Sequence, residues 1–140
     1  MTSERLVRAS WLGTGVFTAA ALIGTIWLEV VVVTVVVSVA LFALGTAAFL
    51  AAYLTAIGRS RYDAIGMGGL FFLAGSAPAA VRRTMLLSFA AEIVVAFVTA
   101  SVRIYTPVAF GLLVPMYGLG VMGLWGARFG EFPPREAPVR

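Results

Sequence analysis

The sequence predicts an all-α membrane protein: four transmembrane helices, a short interfacial segment between the second and third, and both termini in the cytoplasm. Composition is the first reason. Hydrophobic residues fill 61% of the 140 positions and charged residues 11%, whereas soluble domains run about 45–50% apolar and about 25% charged. No soluble fold of this length covers so much apolar surface, so lipid must be the solvent for most of it. The second reason is segmentation, because apolar runs near the spanning length of about 20 residues alternate with short charged clusters. The third is the distribution of arginine, which is taken up once the segments are placed.

Residues 1–8 form a short polar N-terminus carrying Arg5 and Arg8. Between Trp11 and Gly58 the only charge is Glu29, so that stretch holds two spans, 9–27 and 30–57, joined by a tight turn at "IWLEV". The β-branched run "VVVVTVVVSV" would read as strand in water. In lipid each segment must satisfy its own backbone, so it reads as helix. A basic start followed by "TAAA" has the outline of a signal peptide. Because the apolar run continues past Ala21, the expectation is an uncleaved first span.

"GRSRYD" closes the second span. Residues 64–78 are apolar but too short to cross, and Gly66, Gly68, Gly69 and Gly75 weaken a continuous helix. An interfacial or shallow re-entrant segment is expected, with Phe71 and Phe72 dipping into the headgroup boundary. Asp63 is a candidate cap for its start, and Ser76 for the helix beginning near Pro78. The third span is placed at 84–102, "RIYTP" is the return turn, and the fourth span is 108–127. All of 9–128 reads as one four-helix domain, and the proline-rich tail 129–140 as extended or disordered.

On this layout Arg5, Arg8, Arg59, Arg61, Arg82, Arg83, Arg128, Arg135 and Arg140 share one side, and Arg103 alone lies on the other. The positive-inside rule then sets both termini in the cytoplasm. Trp11 and Trp125 are expected as anchors at the inner interface and Trp27 at the outer. The formal charge of +4 is thereby explained as topogenic, without nucleic acid. Arg59, Arg61, Arg82 and Arg83 flank the interfacial segment and are candidate contacts for anionic lipid headgroups.

The chain contains no Cys, His, Lys, Asn or Gln. Disulfides, Cys/His metal sites and His-dependent nucleophilic catalysis are therefore excluded. Asp63 has no paired carboxylate and no phosphate-cradling loop beside it, so no enzyme acting on lipid-linked substrates is expected, and no cofactor. Glu92 is the residue that needs explaining. It lies about 13 Å inward of Arg83 at the helical rise of 1.5 Å per residue, near mid-bilayer, where an ionised carboxylate is costly without a cation. No arginine is at that depth, so a neutral acid is expected, donating a hydrogen bond. Pro115 removes an intrahelical bond and should free the Gly111 carbonyl to accept it. The hydroxyls of Thr14, Thr18, Thr34, Ser38 and Thr46 are alternatives. Three readings stay open for Glu92: helix glue, proton or cation handling, and contact with another subunit.

Small residues mark close packing: Gly118, Gly120, Gly123 and Gly126 in the fourth span, and the row Ala43, Ala47 and Ala51 in the second. Intramolecular packing is the favoured reading of both, with a dimer face as the alternative. Glu29 reads as a solvated turn residue. Its "WLEV" context is similar, over a few residues, to the glutamate segment of small multidrug-resistance transporters, which also have four spans. Here, though, the glutamate follows the first span instead of sitting within it.

The C-terminal third, "TASVRIYTPVAFGLLVPMYGLGVMGLWGARFGEFPPR", together with "GGLFFLAGSAP", resembles a family of small membrane proteins of actinobacteria. The resemblance covers about half the chain and implies a four-span, multi-pass protein of the bacterial plasma membrane, with no activity or catalytic residue to carry over. The all-arginine basic set fits a GC-rich bacterial source. The functional expectation is a non-enzymatic protein, an accessory or assembly subunit of an envelope or transport complex. The alternative is a small homo-oligomeric proton-coupled transporter using Glu92. The partners expected are the lipid bilayer and either a larger membrane complex or further copies of the chain.

Overall fold

The computed structural model describes residues 2–136. Five α-helices follow one another: α1 Ser3–Ile26, α2 Val31–Arg59, α3 Met67–Phe71, α4 Ala79–Val102 and α5 Pro115–Phe129. Four segments are long and apolar enough to cross a membrane: Ser3–Ile26, Leu28–Arg59, Ala79–Val102 and Pro107–Phe129. The architecture is the four-span helical one read from the sequence, and the valine run is α-helix from Val31 onward, its first residue closing the 3-10 turn before it.

α1 begins six residues earlier than expected. Thr2 Oγ1 accepts from Arg5 N–H at 3.3 Å and caps it, and Leu6, the first buried residue, already packs in the core. The turn after it is a single 3-10 turn, Leu28–Val30, with Glu29 and Trp27 exposed as expected. At the same end, Arg103 Nε donates to the Thr25 carbonyl at 2.9 Å. A cation there answers both an orphan carbonyl and the negative end of the α1 dipole.

The fourth span is not one helix. Proline at 115 has no N–H, and in an α-helix its ring would strike the carbonyl four residues back. The chain before it therefore winds as a 3-10 segment, Pro107–Leu113, and α5 starts with Pro115 in its first turn. Beyond that point α5 is the most enclosed span, and it crosses α2 backbone against backbone. A Cβ at Gly120 would run into the Gly45 carbonyl, and one at Gly45 into the Tyr117 main chain. Small residues permit that approach, and dispersion between the tightly packed surfaces holds it in a solvent that offers no hydrophobic drive.

Residues 64–78 dock on the bundle. Leu70, Phe71 and Leu73 are buried, and Phe71 stacks on Phe49 of α2 with ring centroids 4.6 Å apart. Only Phe72 of the aromatic pair faces outward. The expectation that both phenylalanines dip into the headgroup boundary is corrected for Phe71, which α3 turns into the space above Gly123. Leu73 adopts φ 56°, a left-handed conformation costly for a branched residue, and it is fully buried beside Gly126.

The capping expectations are corrected here. Asp63 pairs with Arg59 instead of capping α3, and the Ser76 hydroxyl donates back to the Gly69 carbonyl, leaving Pro78 at the cap of α4 with no side-chain bond. The described part of the tail is also tied down. Ala64 N–H donates to the Pro133 carbonyl and Arg135 N–H to the Tyr62 carbonyl, both at 2.8 Å. An extended tail is thus correct in conformation but not free, since its backbone pairs with the α2–α3 loop. The expectation for Arg140 lies outside the described residues.

Candidate functional site: a buried carboxylate on a hydroxyl row

Glu92 sits midway along α4 with no exposed surface. Its Oε1 accepts from the Thr14 hydroxyl of α1 at 2.9 Å, and its Oε2 accepts from the Gly118 N–H of α5 at 3.1 Å. That amide is available because of the break at Pro115. The Val114 carbonyl, which Gly118 would use in a continuous helix, accepts from Tyr117 N–H at 2.8 Å. An amide in the first turn of a helix also carries partial positive charge, so the broken span aims a donor at the carboxylate, where none of the described residues places a cation.

The expected bond from Glu92 to the Gly111 carbonyl is corrected. In 3-10 winding that carbonyl accepts from Val114 N–H at 3.1 Å, while Gly111 itself lies against the Phe17 ring. Pro115 thus matters to Glu92 through the amide it frees at 118, and not through the carbonyl at 111. The site also requires glycine at 118, since a Cβ there would crowd Glu92 Oε2 and lie 2.9 Å from Phe89 Cδ2.

Behind Thr14 the polar contacts continue. Ser88 Oγ is 2.7 Å from Thr14 Oγ1, and Ser10 Oγ donates to Ser88 Oγ at 2.9 Å. Ser10, Thr14, Ser88 and Glu92 are all buried. Of the hydroxyls singled out in the sequence, only Thr14 reaches Glu92. Thr18 and Thr46 bond to the carbonyls of Thr14 and Phe42 in their own helices, Thr34 bonds across to the Ala20 carbonyl, and the buried Ser38 hydroxyl has no partner among the described residues. Ser10 and Ser88 were not anticipated. The signal was present, because each stands four residues before its partner, Ser10 before Thr14 and Ser88 before Glu92, which stacks the pair on one helix face.

Tyr117, the residue before Gly118, covers Gly13 with its ring and donates its hydroxyl to the Ala9 carbonyl. It thereby locks α5 to α1 next to the carboxylate. Three elements meet at Glu92: α4 brings the carboxylate, α5 the Gly118 amide, and α1 the Thr14 hydroxyl, which also lies 3.0 Å from the Ser10 carbonyl of its own helix.

Two other groups of predicted residues separate. Trp11 and Trp27 are exposed, at 41% and 59%. Trp125 is buried at 3%, its indole N–H donating to Ser3 Oγ at 2.7 Å, so it fastens α5 to α1 and is not an anchor. Arg61, Arg82 and Arg83 are exposed, and Arg82 Nε donates to the Phe72 carbonyl at 3.3 Å. Arg59 is less exposed. Its guanidinium donates to Asp63 Oδ2 at 2.8 and 3.0 Å, to the Ala127 carbonyl at 2.9 Å and to the Gly130 carbonyl at 3.1 Å, and it lies 5.4 Å from the Phe132 ring centroid. It closes the end of α5 and the start of the tail onto α2.

The small-residue rows separate as well. Gly118, Gly120, Gly123 and Gly126 are packed inside the chain, whereas Ala43, Ala47 and Ala51 all lie on the exposed flank of α2. The intramolecular reading of the alanine row is thereby corrected, because α2 packs through Gly45, Ala52 and Ala56 on its opposite side. In comparisons with known proteins, no family model, no curated protein and no solved structure matches this chain.

Proposed function

We propose that this is a non-enzymatic protein of the bacterial plasma membrane, of actinobacterial type, that serves as an accessory or assembly subunit of a larger envelope or transport complex. The observation that supports this reading is the open alanine row on α2. Ala43, Ala47 and Ala51 recur every four residues on a flank left exposed by the described residues, and rows of small residues let a second helix approach closely in lipid. The polar groups are turned the other way. Glu92 and its hydroxyls face the chain's own interior, which leaves α2 a smooth apolar surface suited to a partner's helix.

The test is purification in mild detergent. A larger membrane protein should co-purify in fixed ratio and be lost on Ala47→Phe, a change on the exposed flank that leaves the chain's own packing untouched. A homodimer purified alone, with pH-dependent transport in liposomes, would overturn the proposal. It would favour instead the second reading, a homo-oligomeric proton-coupled transporter, which draws support from the hydroxyls lined up behind Glu92.

A further inference from the structure

We infer that the seam between α1 and α4 is a one-ended proton path, open at the arginine-rich end of the bundle and terminating at Glu92. The path has three parts. At its mouth, Glu4, Val7 and Arg8 of α1 face Ala80, Val81 and Thr84 of α4 across an open cavity of about 360 Å³, so one carboxylate and one guanidinium stand at the entrance. Along its length, Ser10, Ser88 and Thr14 are linked by contacts of 2.9 and 2.7 Å, and Thr14 reaches the carboxylate at 2.9 Å. Ser10 stands three residues inward of Val7, and Ser88 four residues inward of Thr84. The step from cavity to first hydroxyl is therefore about 5 Å, one helical turn; Ser10 and Ser88 have no exposed surface, so the half-buried Val7 and Val81 at the mouth must shift to admit the one water that bridges it.

The third part is the stop. Past Glu92, toward the end that holds Arg103, the same region is filled by Phe17, Ala21 and Ala96, none with any exposed surface. The next hydroxyl on α4, Thr99, is turned onto its own helix, donating to the Val95 carbonyl at 2.7 Å. A proton that reaches Glu92 from one end thus meets an apolar plug on the other.

The transfer balances as a relay. Ser10 takes up a proton at the mouth and passes its own to Ser88, Ser88 passes its proton to Thr14, and Thr14 passes its proton to Glu92 Oε1. Three hydroxyls are restored, one carboxylic acid is formed, no electron moves, and the site gains one positive charge. The groups that face Glu92 leave this charge uncompensated. α1 presents hydroxyls and apolar side chains, the 3-10 segment and α2 present no titratable group at that level, and α5 presents Tyr117, whose hydroxyl is held by Ala9. The charge of Glu92 then follows the pH at the arginine-rich end. Its ionised form holds the Gly118 amide in the first turn of α5 more strongly than its neutral form does, so the α4–α5 tether loosens as that side is acidified. A path with one opening moves no proton across the membrane. It makes the bundle a responder to pH on one side, and it goes beyond the subunit reading without depending on it.

The experiment is infrared spectroscopy of the isolated protein in lipid vesicles, sorted so that the arginine-rich end faces outward. A protonated carboxyl C=O band that disappears in Glu92→Gln is expected to grow as the outside is acidified, and to shift promptly when the outside is exchanged into D2O. Ser88→Ala should slow that shift several-fold while leaving the band in place, and Ser10→Ala, which touches nothing at the carboxylate, should do the same. Equal exchange rates in wild type and both variants would overturn the path. So would the absence of a Glu92 band at every pH, or a band that follows only the pH inside the vesicle. Because no partner protein is present, failure here leaves the subunit proposal standing, and loss of the partner in the pull-down leaves this path standing.

Discussion

Glu92 is held by two donors that a list of polar side chains does not contain together: a threonine hydroxyl and a main-chain amide released by a proline three residues earlier. In lipid, interhelical hydrogen bonds average about 0.6 kcal/mol and reach about 1.7, whereas a buried donor left unanswered costs about 1–3 kcal/mol. The asymmetry orders the variants. Glu92→Gln keeps an acceptor for one donor and should lower thermal stability in detergent modestly, by about 1 kcal/mol. Glu92→Leu strands the Gly118 amide and should cost more; equal melting temperatures for the two would refute the two-donor account. Gly118→Ala places a methyl against Glu92 Oε2 and Phe89, and overpacking of this kind costs about 1–3 kcal/mol. Gly15→Ala meets nothing within 4 Å and should melt at or above wild type. The exceptional character of Glu92 was legible in the sequence, as was Thr14 among its partners. The Gly118 amide was not, because a backbone donor becomes free only through the winding of the chain around it.

Among the elements, the broken fourth span and the docked loop carry most of the structure that pattern alone does not reveal. Hydropathy reads 108–127 as one apolar stretch, and it is one, since 3-10 and α winding are equally apolar. The proline decides between them locally by denying an α-type bond at 115. The loop 64–78 is similar. Its glycines exclude a long helix, but whether it rests at the surface or packs inward depends on the space left by Gly123 and Gly126 of α5. Arg59 secures the loop, α5 and the tail through one guanidinium. The ion pair with Asp63 is itself partly exposed, at 31% and 26% of the side chains, so in water it would contribute little. The two carbonyls it also satisfies are what make it specific. Arg59→Ala should therefore expose the tail, read as faster protease cleavage between Phe129 and Arg135 with the spans intact, whereas Arg61→Ala should leave cleavage unchanged.

For the whole molecule, the arginines divide by end. Arg103 lies beside the α1 terminus at one end, and the remaining described arginines flank the ends of α1, α2, α4 and α5 at the other. By the positive-inside rule the crowded end is expected to face the cytoplasm. The chain contains no cysteine, so single cysteines report sidedness directly. Tyr105, 97% exposed at the sparse end, and Tyr62, 76% exposed at the crowded end, are suited to it. Tyr105→Cys should react with an impermeant maleimide in intact cells, and Tyr62→Cys only after lysis; the reverse pattern would overturn the orientation. Composition by itself determined that lipid is the solvent, that the backbone is helical, and how many times it crosses, because those follow from solvation of apolar length and of peptide groups. Only the tertiary structure decided which polar atoms meet, that Trp125 and Arg59 turn inward while Ala43, Ala47 and Ala51 turn outward, and that Glu92 ends a row of hydroxyls. Those outcomes depend on which helix faces which, and in a chain apolar on nearly every side the hydropathy pattern carries no record of facing.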